Sequence, residues 1–102
     1  MMAEQNADDG RHHAEYKIPD GKLVMVDFRI DDERLHDVQL SGDFFLEPPE
    51  VLTRINAALE NMPQAASAQQ LEAAVQSAIG PDTTMFGITT AGIVTVVQRA
   101  LA

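Results

Sequence analysis

The sequence predicts an α+β domain: a three-stranded antiparallel sheet followed by helices packed on one of its faces. Three observations lead there. Apolar residues alternate with polar ones at period two only in the first half of the chain. From residue 51 onward they recur at spacings of three and four. The chain has 102 residues, 45% of them hydrophobic, which suits one domain with a single small core. Strands first and helices after is the α+β order, not the alternating order that builds a parallel sheet.

Residues 1–13 are polar and small, with Glu4, Asp8 and Asp9 against Arg11 and no apolar period. They are expected to form a disordered N-terminal tail, leaving residues 14–102 as the domain. His12-His13 offers metal-ligand chemistry, but no third ligand lies near it in sequence and a solvated tail accounts for the pair. Glu15 to Ile18 alternates as a short strand. Pro19-Asp20-Gly21 is a turn: Pro presets φ, Asp bonds locally and Gly supplies positive φ. Lys22 to Asp31 alternates cleanly, with Val24, Val26, Phe28 and Ile30 on one face and Met25, Asp27, Arg29 and Asp31 on the other. Asp32-Glu33 makes a second reversal without the Gly that tightens such a turn. Leu35 to Ser41 is the third strand, Val38 and Leu40 inward.

Pro48-Pro49 ends the extended segment and suits the first turn of a helix. Leu52, Ile55, Leu59 and Met62 then fall on one stripe, with Val51 and Ala58 beside it, and Met62-Pro63 stops it. Ser67 and Gln70 have capping-box spacing, opening a second helix with Leu71, Val75 and Ile79 inward and Gly80-Pro81 at its end. In the last segment Ile93, Val97 and Leu101 recur at period four after Thr89 or Thr90. Its β-branched run and Gly92 also fit a strand; the regular spacing and the terminal Gln98-Arg99-Ala100-Leu101 favour a helix.

Composition excludes several functions. The net charge of −9 argues against nucleic acid and anionic membrane surfaces, which bind through Lys and Arg. The absence of cysteine removes disulfides, thiolate metal sites, iron–sulfur ligation and cysteine nucleophiles. No apolar run approaches the roughly 20 residues of a membrane span, and Met1–His13 has no apolar signal region; a cytoplasmic protein is expected. Neither Gly-rich phosphate-binding pattern, GxxxxGK(S/T) or GxGxxG, occurs. Ser41 and Ser67 lack a triad context, His36 reads as a strand histidine, and Asp31-Asp32-Glu33 as a solvated turn lacking the spaced donors of a calcium loop. No catalytic residue and no metal site are expected.

One segment stands apart: Ser41-Gly42-Asp43-Phe44-Phe45-Leu46-Glu47-Pro48-Pro49. Neighbouring phenylalanines in extended backbone point to opposite sides. Two readings fit. In one, this is a strand-to-helix corner with Gly42 in unusual φ/ψ, Asp43 bonding turn amides and both rings buried. In the other, one ring plugs the core and the second faces a partner.

This segment, together with Tyr16-Lys17-Ile18-Pro19-Asp20-Gly21-Lys22-Leu23-Val24, resembles the C-terminal accessory domain of lipoate–protein ligases, in the form where that domain is a separate small polypeptide. The resemblance covers residues 14–102. It is specific in the K-I-P-D-G-K-L and G-D-F-F-x-x-P motifs and weak in the helices. Glu33 departs from the Gly usual in the hairpin, for which a looser turn is expected, and Gly92 makes the final helix poorer than the family's.

The resemblance implies the SufE/NifU-like fold of iron–sulfur scaffold and sulfur-transfer proteins, whose function the missing cysteines exclude here. It implies a noncatalytic accessory subunit and heterodimer partner. In the family, the large domain binds lipoate, ATP and Mg2+ and makes lipoyl-AMP. It then transfers lipoyl to a lysine of an acceptor domain, such as those of 2-oxoacid dehydrogenases or glycine-cleavage H protein. The accessory domain serves chiefly the activation step and changes position between the two steps. By that resemblance this chain binds no cofactor alone, and its partner-binding residues are Gly42, Asp43, Phe44 and Phe45 at the corner with Lys17, Gly21 and Lys22 before the hairpin. The other reading open to it is a stand-alone binding or regulatory module that recognises lipoyl or acyl carrier domains.

Overall fold

The computed structural model describes residues 11–102. Strands β1 (Arg11–Lys17), β2 (Leu23–Asp31) and β3 (Arg34–Gly42) form an antiparallel sheet in that order. After it come β4 (Phe45–Glu47), α1 (Glu50–Leu59), α2 (Ala68–Ser77), β5 (Thr84–Phe86) and α3 (Thr90–Leu101). The expected α+β architecture is present, with one addition: β4 and β5 pair as a second, two-stranded antiparallel sheet.

The expected tail boundary is corrected. Residues 1–10 lie outside the described residues, but Arg11, His12 and His13 open β1, opposite Arg29, Phe28 and Asp27. His12 replaces an apolar residue on the inward face. Its ring stacks on Phe28 at 5.4 Å, and its Nδ1–H donates to the Ala100 carbonyl at 2.6 Å. His13 points to the solvent face, so the two histidines cannot share an ion. Among the described residues no group of three His, Cys, Asp or Glu side chains could hold a metal.

The Asp32-Glu33 reversal is also corrected: it is tight. Asp31 pairs with Arg34, which leaves a two-residue link with Asp32 at φ 54° and Glu33 at φ 63°. Positive φ at both central residues is the type I′ form, one of the two whose twist matches that of the strands. The sheet therefore imposes a left-handed Glu33, at a cost of about 1 kcal/mol or more, and the Gln64 N–H, 2.8 Å away, holds its carbonyl.

β3 is an edge strand, and the chain covers that edge itself. Leu35 exchanges backbone bonds with Asn61 and Met62. A bulge at Asp37-Val38 leaves two N–H groups that donate to the Glu60 carboxylate at 2.9 and 3.3 Å, and the Leu40 N–H donates to Asn56 Oδ1 at 3.0 Å.

The core lies between the large sheet and the helices. Val24, Val26, Phe28, Leu35, Val38 and Leu40 face it from the sheet. α1 packs on β3, α3 on β1 and β2, and α2 closes the layer against both helices. In α1 the buried stripe is Val51, Ile55 and Leu59, leaving Leu52 half-buried beside β4. The capping box forms as expected: Ser67 Oγ accepts from the Gln70 N–H at 3.1 Å and Gln70 Oε1 from the Ser67 N–H at 2.8 Å. The last segment is a helix, capped where Thr89 Oγ1 accepts from the Gly92 N–H at 2.9 Å. Four of its six β-branched residues, Ile93, Val94, Val96 and Val97, are buried, between the sheet and α2, so packing overrides their weak helix propensity. Gly92 faces Ile18: a Cβ there would lie 2.4 Å from Ile18 Cδ1.

His12→Ala removes a stacking contact and a hydrogen bond that joins β1 to the last turn of α3. It should lower folding stability by about 1–2 kcal/mol in equilibrium denaturation; an unchanged midpoint would show that Ala100 does not anchor the strand.

Candidate functional site

The corner forms because β3 ends where only glycine fits. Gly42 takes φ 148°, and a Cβ would lie 2.2 Å from the Leu23 carbonyl oxygen. That same oxygen accepts the Asp43 N–H at 3.1 Å. The Phe44 ring lies over Gly42 and packs, half-buried, on the core. Strand alternation then turns Phe45 outward and Leu46 inward. The Asp43 carboxylate is exposed and makes no hydrogen bond to a described residue, so the expected side-chain bonds to turn amides are replaced by the backbone bond to Leu23.

The Lys17–Lys22 segment arrives at the same place. Gly21 N–H donates to the Ile18 carbonyl at 2.8 Å and Ile18 N–H to the Lys22 carbonyl at 3.1 Å, closing the turn with Asp20 at φ 60°. A Cβ on Gly21 would crowd Ile18 at 2.9 Å. Lys22 N–H donates to the Gly87 carbonyl at 2.9 Å, and the Lys22 stem lies against Gly87, whose φ is 79°. Lys17 Nζ turns back to the Ile18 carbonyl at 3.1 Å. Gly21, Lys22, Gly42, Asp43, Phe44 and Phe45 thus gather around the start of β2, with Lys17 one residue before the turn.

Sequence reasoning missed the partner that completes this place. Phe86 of β5 lies opposite Phe45, their centroids 4.6 Å apart and their planes at 27°. Phe45 is 56% and Phe86 45% exposed. Beside them a notch of about 240 Å³ is lined by Phe44, Phe45, Leu46, Glu47, Pro49 and Leu52. The only signal for β5 was the three-residue alternation Thr84-Met85-Phe86, too short to distinguish from a loop. The lining is aromatic and aliphatic with one carboxylate, a set suited to contact with another apolar group rather than to bond making.

A second concavity, about 700 Å³, lies further along the sheet between β1 and the Asp37 bulge, lined in part by Arg11, His13, Asp27 and Asp37. Here Glu15, 3.0 Å from His13 Nε2, and Asp27, 2.8 Å from Nδ1, hold the His13 pKa above its ordinary 6.5. His36 sits half-buried with Nε2 donating to the Asp31 carbonyl at 3.2 Å. No helix among the described residues is long and apolar enough to cross a membrane.

No family model matches the sequence, and no curated protein does. Among solved structures the chain is similar to one from an archaeal lipoylation system, a bi-partite lipoate protein ligase and its E2 lipoyl domain from Thermoplasma acidophilum. The two share 18% identity at a TM-score of 0.69, over 85% of this chain and 93% of that one. At that identity the likeness shows a common fold.

Gly42→Ala should cost about 2 kcal/mol or more, from positive-φ strain and the clash with Leu23; a melting curve like wild type would mean the corner can relax. For His13, a raised folded pKa means its stabilisation is full below pH 6.5 and is lost as pH rises through the folded value. An NMR titration should find its midpoint above 6.5, lowered by Glu15→Gln and by Asp27→Asn.

Proposed function

We propose that this chain is the noncatalytic accessory subunit of a bipartite lipoate–protein ligase. It acts with a separate catalytic chain in the ATP-dependent activation of lipoate to lipoyl-AMP, in the cytoplasm. Lipoate, ATP and Mg2+ are handled by that partner, and lipoyl-acceptor domains are met through it. The observation that carries this reading is the meeting of the two motifs. The K-I-P-D-G-K-L and G-D-F-F segments, far apart in sequence, are joined by the bond from the Asp43 N–H to the Leu23 carbonyl. They do so on a fold shared over most of its length with a chain of a bipartite lipoylation system. The site's chemistry suits that role: an exposed aromatic pair beside an apolar notch offers surface to another protein. A domain of this kind speeds adenylation by closing over the reacting groups, excluding water and holding them in position.

The test is lipoate-dependent ATP–pyrophosphate exchange by a lipoate-adenylating chain of the same organism, with and without this protein. Exchange should rise by about tenfold or more, a barrier change of about 1.4 kcal/mol. Equal rates would overturn the reading, and binding to a lipoyl domain with no ligase present would favour a stand-alone recognition module instead.

A further inference from the structure

We propose that the Phe45–Phe86 stack and the notch beside it are a docking surface for a protein that presents an apolar side chain flanked by lysines or arginines. That this protein is the ligase's catalytic chain rests on the function proposed above.

The first argument is placement. Phe45 and Phe86 are the large hydrophobic residues left exposed among the described residues, and they are cross-strand neighbours rather than scattered. A contiguous aromatic patch beside a cavity is the usual form of a binding surface, whereas single exposed apolar residues are ordinary. The notch walls, Phe44, Leu46 and Leu52, are themselves anchored on the core. It has room for one large side chain, the form that interface anchors take.

The second argument is rigidity. The rings stand on strands, not on a free loop. Leu46, opposite Met85 in the ladder, is buried, and α1 packs on β4. A preordered aromatic pair loses little freedom when a partner covers it, which favours binding.

The third argument is charge, and it selects the occupant. Residues 42–50 and 80–87, which carry the patch, contain Asp43, Glu47, Glu50 and Asp82 and no Lys or Arg. All four carboxylates are exposed. Lys22 borders the patch with its stem against Gly87, and Arg54 lies one turn along α1 from Glu50. A second copy of this chain would bring the same carboxylates against these, on a molecule of net charge −9. The chain's own first ten residues hold Glu4, Asp8 and Asp9 and no Lys or Arg, so they too match the patch in sign. A basic rim around an apolar knob complements it and would be steered to it at low salt.

The test uses the full chain and the lipoate-adenylating chain of the same organism, with affinity from calorimetry, folding from thermal melting and function from the exchange assay. Phe45→Ala and Phe86→Ala should each weaken binding by roughly 30-fold or more, as hot-spot residues do, and melt close to wild type. Phe44→Ala should mainly lower the melting temperature. Glu47→Lys combined with Asp82→Lys changes only exposed side chains; it should weaken binding by about tenfold at low salt and flatten the salt dependence seen for wild type. If wild type binds and stimulates exchange while the folded Phe45→Ala and charge-reversal variants do so equally well, the surface assignment is overturned and the accessory role stands. If wild type neither binds nor stimulates, both are overturned.

Discussion

The carbonyl of Leu23 is where the two sheets of this molecule are joined. It sits at the first residue of β2, accepts the Asp43 N–H and leaves no space for a side chain on Gly42. Because β3 must end against that oxygen, the chain leaves the large sheet at one fixed point and in one direction. The pleat then decides the rest: Phe44 is laid on the core, Phe45 is turned out, and Leu46 is turned back in. The same stretch of backbone binds the β5 region, since the Lys22 N–H reaches the Gly87 carbonyl. A two-stranded sheet is marginal alone. This one is held by its attachment at residues 22–23 and by Leu46.

The helices are fixed by a similar economy of space. At the start of α3, Gly92 admits Ile18, and at its end the Ala100 carbonyl takes the Nδ1–H of His12. Arg99 adds a cation–π contact over Tyr16 at 4.7 Å and a bond to the Glu15 carbonyl at 3.3 Å. The glycine that weakens this helix intrinsically therefore serves its closest packing, the more so because Ile18 is the buried residue leading into the Pro19–Lys22 turn. The fold around the corner and the seating of α3 are linked through a single side chain.

What the sequence reveals follows from how local each cause is. β2 is legible because alternation over nine residues leaves few other interpretations, β3 because Val38 and Leu40 alternate after its bulge, and the Ser67 capping box because it is written within four residues. The opening of β1 is hidden because His12 does an apolar residue's work, stacking on a ring from the next strand. The tight Asp32-Glu33 turn is hidden because the sheet, not the turn residues, dictates its geometry. β5 is hidden because three residues become a strand only when β4 lies beside them. At the corner, Gly42 and the opposed phenylalanines can be read from local rules, but Phe86 cannot. Its role depends on a pairing between segments some forty residues apart.

The exposed pair is better explained by contact than by folding. Stacking two aromatic rings is worth about 0.5–1.5 kcal/mol. Burying a single phenylalanine fully is worth roughly 1.5–3 kcal/mol, and the fold forgoes much of that at two positions. Turning Phe45 inward is closed to it, since Leu46 holds the inward place and Phe44 already covers Gly42. A polar residue would serve an edge facing water at least as well and would lessen the aggregation hazard of an apolar strand. The geometry fixes which ring faces outward, while the aromatic identity of that ring is left unexplained by the monomer. On the docking surface proposed above, a partner with an apolar centre would supply that stabilisation. The carboxylates around the stack would repel a second copy of the chain and attract a basic surface.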